Sequence, residues 1–84
     1  MDEITEELMH TENRVIGTKQ AIRALKTQDV RVLFLADDMD IEVREEIFAA
    51  VGEKDVHLVY VESKDELGRV CGIDVPCACA AILR

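Results

Sequence analysis

The spacing of apolar residues changes several times along this chain, and each change marks an element. Ile4 and Leu8, four apart and set among Asp2, Glu3, Glu6 and Glu7, predict a short amphipathic helix from residue 3 to about 12. Its acids lie at the start, where the helix dipole favours them. Arg14 to Ile16 is a brief strand-like run that Gly17 ends. From Thr18 to about Thr27, Ala21, Ile22 and Leu25 recur at helical spacing, while Lys19, Arg23 and Lys26 share one face.

Arg31 to Ala36 is a continuous apolar run, as expected of a strand covered on both sides. Asp37, Asp38, Met39 and Asp40 follow as a loop. Asp40 is placed to cap a helix running to about Val51, with Ile41, Ile47, Phe48 and Val51 on its apolar side and Gly52 as its stop. A second buried strand is predicted from Val56 to Val61. Ser63 and Glu66 have the spacing of a capping box, and Gly72 ends the helix they start. Beyond a loop containing Pro76, Cys79 to Leu83 supplies the last strand. Strand, helix and strand in succession imply a right-handed parallel crossover, hence a sheet with helices on its faces. No repeat, linker or low-complexity segment interrupts the pattern, and 84 residues make one domain, 1–84.

Composition narrows the function more than the fold. The chain is 49% hydrophobic but only 4% aromatic, so the core is aliphatic. No stretch approaches the roughly 18 apolar residues of a membrane span, and the acidic start is the reverse of a signal peptide, so a cytoplasmic protein without membrane contact is expected. Cys71, Cys77 and Cys79 form an odd set near one end, unlike a secreted disulfide framework, and reduced thiols are expected. The net charge of −8 argues against indiscriminate coating of nucleic acid. Its distribution is uneven: residues 14 to 31 hold Arg14, Lys19, Arg23, Lys26 and Arg31 against Asp29 alone, a local +4 that leaves −12 for the rest.

The candidate chemistry starts at Gly17-Thr18-Lys19-Gln20. A glycine turn feeding a helix start presents free backbone N–H groups and the positive dipole end, which suits a phosphate, while Lys19 and Gln20 have the donors to bond base edges. The plain alternative is a strand-to-helix turn with a solvated basic face. The Ile73-Asp74-Val75-Pro76 loop is either a tight turn into the last strand or an apolar surface for an unpaired base. Asp37, Asp38 and Asp40 lack the spacing of a calcium loop and read as an acidic loop ending in a cap. Cys77 and Cys79, two apart, would face one side of a strand, and neither His10, expected at the surface, nor His57, expected to be packed, completes a zinc set with the cysteines. No nucleophile elbow, triad order or P-loop is present, so no enzyme, metal or cofactor is expected.

The run from Val61 to Ile82, VESKDELGRVCGIDVPCACAAI, closely resembles the C-terminal half of the archaeal large-subunit ribosomal protein L-seven-Ae. Ile16 to Gln20 with Arg23-Ala24-Leu25-Lys26 resembles the bacterial branch of that family, and Phe34 to Asp38 its acidic strand end, so the resemblance spans about residues 14 to 83. It implies a three-layer α/β/α sandwich with a small four-stranded mixed sheet. It also implies binding to the kink-turn, a bent RNA internal loop with tandem sheared G·A pairs, in a ribosomal RNA or an mRNA leader. Gly17, Thr18, Lys19 and Gln20 would then enter the major groove, with Arg23 where the family usually has Lys, and Lys26 beyond it on the same helix. Ile73, Asp74 and Val75 would meet the flipped-out nucleotide, with Asp40 near them. The implied partner is structured RNA rather than DNA, bound by a monomer. Two features depart from the family: archaeal members have Asn-Glu at Lys19-Gln20, and a usual basic pair with Gly is replaced by Thr27-Gln28-Asp29. The alternative that the acidic charge suggests is a protein-interaction module of the same fold that has lost RNA.

Overall fold

A computed structural model describes residues 2–84 and contains four helices and four strands. In chain order these are α1 (Glu3–His10), β1 (Arg14–Ile16), α2 (Thr18–Thr27), β2 (Val30–Ala36), α3 (Ile41–Val51), β3 (His57–Val61), α4 (Lys64–Cys71) and β4 (Cys79–Leu83). The strands form one mixed sheet in the order β1-β4-β2-β3. β4 pairs antiparallel with β1 and β2, and β3 pairs parallel with β2 across the α3 crossover. α2 and α3 cover one face and α1 and α4 the other, which makes the three-layer α/β/α sandwich.

Strand alternation divides the core in two. Leu33, Leu35, Cys79 and Ala81 face Ala21, Ile22 and Leu25 of α2 and Ile47 and Val51 of α3. Val32, Phe34, Ala36, Ala80 and Ile82 face Leu8 of α1 and Leu67 and Val70 of α4. Burial on both sides explains the unbroken apolar run of β2. Phe34 is fully buried at the centre of the sheet, a contribution of about 2–3 kcal/mol, and its truncation to Ala would cost about 3–5 kcal/mol.

Several local expectations are corrected. β3 is an edge strand, half-exposed rather than buried, and His57 and Tyr60 are exposed on it. On α3 the packed residues are Val43, Ile47, Ala50 and Val51, whereas Ile41 and Phe48 are exposed. Asp40 occupies the N-cap position of α3, but its side chain makes no capping bond. The capping acid of that loop is Asp38, which accepts from the N–H of Lys64 at 2.8 Å and so serves α4 across 26 residues. Ser63 caps α4 by accepting from Glu66 N–H at 3.0 Å, while the Glu66 carboxylate is engaged by Arg69 at 3.2 Å instead of completing the box. Cys77 and Cys79 belong to opposite core layers, because the chain is not yet extended strand at Cys77.

Candidate nucleic-acid interface

The sequence places its most informative turn where β1 ends. Gly17 has φ 108°, ψ 153°, a conformation strained for any residue with a Cβ, and a Cβ added there would stand 2.6 Å from Oε1 of Gln20, which folds back over the glycine. Gly17 N–H donates to Cys79 O at 2.9 Å, fixing the turn to the sheet, and its carbonyl accepts the first helical bond, from Ala21. Gly17 has no side chain to cap α2, and among the described residues no other side chain accepts from its first turn. The N–H groups of Thr18, Lys19 and Gln20 therefore open at the positive end of the helix dipole. Lys19, Gln20, Arg23 and Lys26 are all exposed. With Thr18, Ile22, Thr27 and Glu46 of α3, the three cations line an open groove of about 400 Å³ along α2.

The second predicted segment is the loop after α4. Gly72 takes a left-handed conformation, φ 77°, and Ile73 N–H returns to Gly68 O at 3.0 Å, a Schellman-type closure. The loop then doubles back across the helix. A Cβ on Gly68 would overlap the carbonyl oxygen of Val75 and would lie 3.3 Å from its carbonyl carbon and 3.5 Å from Pro76 Cα. Only a glycine in α4 lets the backbone of Val75 rest there, a requirement that helical periodicity does not reveal. Val75 is 61% exposed, Asp74 is exposed and Ile73 is half-buried against the core. Ile73, Asp74, Val75 and Pro76 line a shallow depression of about 330 Å³ with Asp65 and Arg69.

Topology brings these segments to one end of the sheet. The β1–α2 turn, the 37–40 loop and the 72–78 loop all lie at the edge where β1, β2 and β3 finish and β4 begins. Asp40 stands at that end, beyond β2. Lys26 does not: it is two turns along α2 from Lys19, roughly 10 Å by helical rise, and borders the opposite end near Asp29 and Lys54.

The basic segment is weaker than its composition suggests. Arg14 is half-buried and donates to Leu8 O at 2.7 Å, closing the C-terminus of α1, and Arg31 is paired with Glu7. Among the described residues no ion pair engages Lys19, Arg23 or Lys26, so three of the five cations stay available to a ligand. All three cysteines are buried free thiols. Cys77 is bonded beside the β1–α2 turn: its Sγ donates to Cys79 O at 3.1 Å, the carbonyl that also accepts from Gly17. The Cys71 thiol bonded to it, helped by backbone N–H groups of Cys79 and Gly17 and opposed by burial, holds the Cys77 thiol below the usual thiol range. The same contact, with burial, pushes Cys71 up. Burial, with a smaller contribution from Cys77, pushes Cys79 up to about 12. Among the described residues no group of three His, Cys, Asp or Glu could hold a metal ion, and no helix is long and apolar enough to cross a membrane.

Comparison with known proteins bears directly on this geometry. The model of the ribosomal protein L7Ae/L30e/S12e/Gadd45 family matches residues 1–84. The chain is 40% identical over 79 residues to a Geobacillus stearothermophilus protein named RNA-binding protein YbxF, covering 94% of this chain and 96% of that one. An RNA-binding protein of Caldanaerobacter subterraneus is 41% identical over 68 residues, covering 81% of this chain and 83% of its own length. Among solved structures, the 15.5kD RNA binding protein of Giardia lamblia superposes with a TM-score of 0.82 at 26% identity, over 96% of this chain and 68% of that chain.

Proposed function

The chain belongs to the ribosomal protein L7Ae/L30e/S12e/Gadd45 family, and from that premise we propose that it is a non-catalytic RNA-binding protein that recognises kink-turn RNA. The observation that carries this reading is the meeting, at one end of the sheet, of an uncapped glycine-turn helix start and an exposed apolar loop. One suits a groove lined by base edges and phosphates; the other suits an unstacked base. Residues 1–84 act as one RNA-binding unit. It works in the cytoplasm as a monomer and associates with the ribosome.

In this reading Gly17 and Thr18 bring backbone N–H groups against the RNA, and Lys19 and Gln20 reach the edges of the sheared G·A pairs in the major groove. Arg23 contacts the backbone beside them, and Lys26 contributes only at longer range. Val75, with Ile73 behind it, stacks on the flipped-out nucleotide, and Asp74 and Asp40 offer acceptors to its exposed edge. The similarity to proteins named as RNA-binding supports an RNA partner, and the unpaired cations support a local attraction that the net charge of −8 would otherwise oppose.

A labelled kink-turn RNA, titrated in magnesium at moderate salt, tests the proposal beside a control whose sheared G·A pairs are replaced by Watson–Crick pairs. Tight binding to the first and weak binding to the second is expected. Equal, feeble binding to both would overturn it and favour a protein-interaction module of the same fold, for which the acidic surface speaks.

A further inference from the structure

We propose that the free edge of β3 is a docking site for an extended basic peptide, whose residues alternate between cationic and apolar and which joins the sheet as a further strand. The register shows which backbone groups are available. Val61 O accepts from Asp37 N–H at 2.8 Å, so His57, Val59 and Val61 turn their backbone polar groups to β2, while Leu58 and Tyr60 turn theirs outward. β3 ends the sheet, and among the described residues no other segment bonds those outward groups. The strand, HLVYV, also lacks the proline, lysine or bulge that commonly closes an edge to other chains.

The two sides of this edge differ in chemistry. On the α1/α4 side a groove of about 360 Å³ is lined by Asp2, Thr5, Tyr60, Val61, Glu66 and Val70. Its carboxylates are fixed in place, Asp2 by accepting from Thr5 N–H at 2.7 Å and Glu66 by its pair with Arg69 at 3.2 Å. Glu62 follows the strand and Glu53 and Asp55 precede it, whereas Lys54 turns its amino group back toward Ala50 O at 3.4 Å. On the other side, Glu46 faces α2 across their shared groove, so helical spacing directs Ile41, Arg44 and Phe48 away from α2, over the β3 edge. Ile41, Phe48 and Tyr60 are exposed there. Arg44 is the only base of α3, has no ion pair among the described residues and keeps its Nε enclosed without an acceptor, so a further cation is disfavoured beside it.

An extended occupant presents its side chains to the two sides in turn. Those over the groove meet Asp2 and Glu66 and are Lys or Arg; those over α3 meet Ile41, Phe48 and Tyr60 and are apolar. Main-chain bonds to Leu58 and Tyr60 supply affinity, and the alternation supplies selectivity. The same acids repel RNA, and a second copy of the chain would bring its own charge of −8 against them. β1 and β3 are opposite edges of the sheet, so this site is separate from the β1–α2 turn and does not rest on the RNA-binding reading.

The test uses the ¹⁵N-labelled full chain and a synthetic eight-residue peptide alternating lysine and valine, with acetyl and amide ends. Saturable binding is expected at up to about 0.1 mM peptide, with the amide signals of Leu58 and Tyr60 shifted and their hydrogen exchange slowed. The same peptide N-methylated at every second amide keeps its charge but loses one edge of donors, and should bind roughly tenfold more weakly. A glutamate–valine counterpart should not bind. Asp2→Asn combined with Glu66→Gln, which retains the acceptor oxygens used in the fold, should weaken binding about three- to tenfold. Tyr60→Pro removes an outward N–H and no bond of the sheet, and should abolish binding with the fold verified by melting. If that variant unfolds, the N-methylated peptide tests the same bonds on the native chain. Equal binding of the N-methylated peptide would reduce the effect to charge adhesion and overturn the proposal, as would shifts confined to another face. Exchange at Leu58 and Tyr60 that slows with protein concentration alone would assign the edge to a second copy and overturn it too.

Discussion

Replacing Gly68 by Ala sets two physical effects against each other. Glycine inside a helix costs about 1 kcal/mol relative to alanine, so propensity predicts that Gly68→Ala stabilises the protein by that amount. The structure predicts the reverse. The new methyl would overlap a backbone carbonyl oxygen, not the end of a pliable side chain, and the loop carrying it would have to retreat by on the order of 1 Å to restore van der Waals contact. Overpacking of this kind costs about 1–3 kcal/mol, and lifting the loop strains the Ile73–Gly68 and Cys77–Lys64 hydrogen bonds, each worth about 1 kcal/mol. The sum is a net destabilisation of about 1–2 kcal/mol. In a domain of this size that lowers the melting temperature by roughly 5–15 °C, measurable by circular dichroism and by a shift in urea midpoint at constant slope. Gly72→Ala is the control: nothing lies within 4 Å of its added Cβ, but φ 77° penalises a side chain by about 1 kcal/mol. It should weaken folding without displacing Val75. A Gly68→Ala protein that melted at or above the wild type would refute the claim that the loop's position depends on that glycine. Its RNA affinity should fall about tenfold by loss of the Val75 contact, and Gly72→Ala should lose less.

The remaining predictions concern the turn, its charges and the acidic loop. Lys19→Ala and Arg23→Ala should each weaken kink-turn binding at least tenfold with a melting temperature unchanged within a degree or so, since among the described residues neither makes an ion pair; a parallel fall in stability would reassign them to structure. With two to three cations near RNA, log affinity should fall against log salt with a slope of roughly −2 to −3, and a slope near −5 would mean that Arg14 and Arg31 leave their partners to bind. Gly17→Ala should cost about 1–2 kcal/mol through its positive φ and abolish tight binding, whereas full activity would show that the turn tolerates another conformation. Asp38→Ala should lose about 1 kcal/mol in chemical denaturation and Asp40→Ala clearly less, because of these two acids Asp38 is the one whose side chain bonds a helix start; equal losses would contradict that assignment.

What the sequence disclosed and what it withheld divide along physical lines. Strand and helix order was legible because periodicity is local: the cations of α2 and its apolar face read directly, and so did the glycines that end α3 and α4. Facts set by distant chain were not. Residues 57–61 look like a buried strand because their apolar content is the same whether a second neighbour pairs or not, and only the sheet order makes β3 an edge. Asp40 satisfies every local rule for a cap, yet the bond is made by Asp38 to a helix 26 residues away. Cys77 and Cys79 have the spacing of strand neighbours, but that rule presumes an extended chain, and the turn after Pro76 breaks it. The candidate residues of the turn and the loop were readable as types, while Gly68, which seats the loop, has no periodic signature at all.

The acidity of the chain then takes on a definite meaning. Arg14, Arg31, Arg69 and Arg84 are held by protein acceptors, Leu8 O, Glu7, Glu66 and Asp29, so most of the arginines maintain the fold. What faces the proposed ligand is Lys19 and Arg23 beside three backbone N–H groups and a helix dipole, against a charge of −10 on the rest of the chain. The field of that charge is damped within about 8–10 Å at physiological salt, whereas contacts within 3–4 Å are not. Long-range repulsion therefore lowers the rate of encounter with any RNA, matched or not, while short-range contacts reward only an RNA that brings a groove to the turn and an unstacked base to the loop. An acidic body with a small cationic tip is a device for discrimination: it suppresses non-specific binding, the electrostatic term common to all RNA, and leaves the geometric term to decide. Raising the ionic strength should consequently weaken binding to the kink-turn while narrowing the disadvantage in association rate that the acidic surface imposes. Substituting acids remote from the tip, such as Glu53, by Gln should raise affinity for matched and mismatched RNA together, reducing the ratio between them only if non-specific contacts begin to form. An increase confined to the matched RNA would show that those acids act at the interface itself.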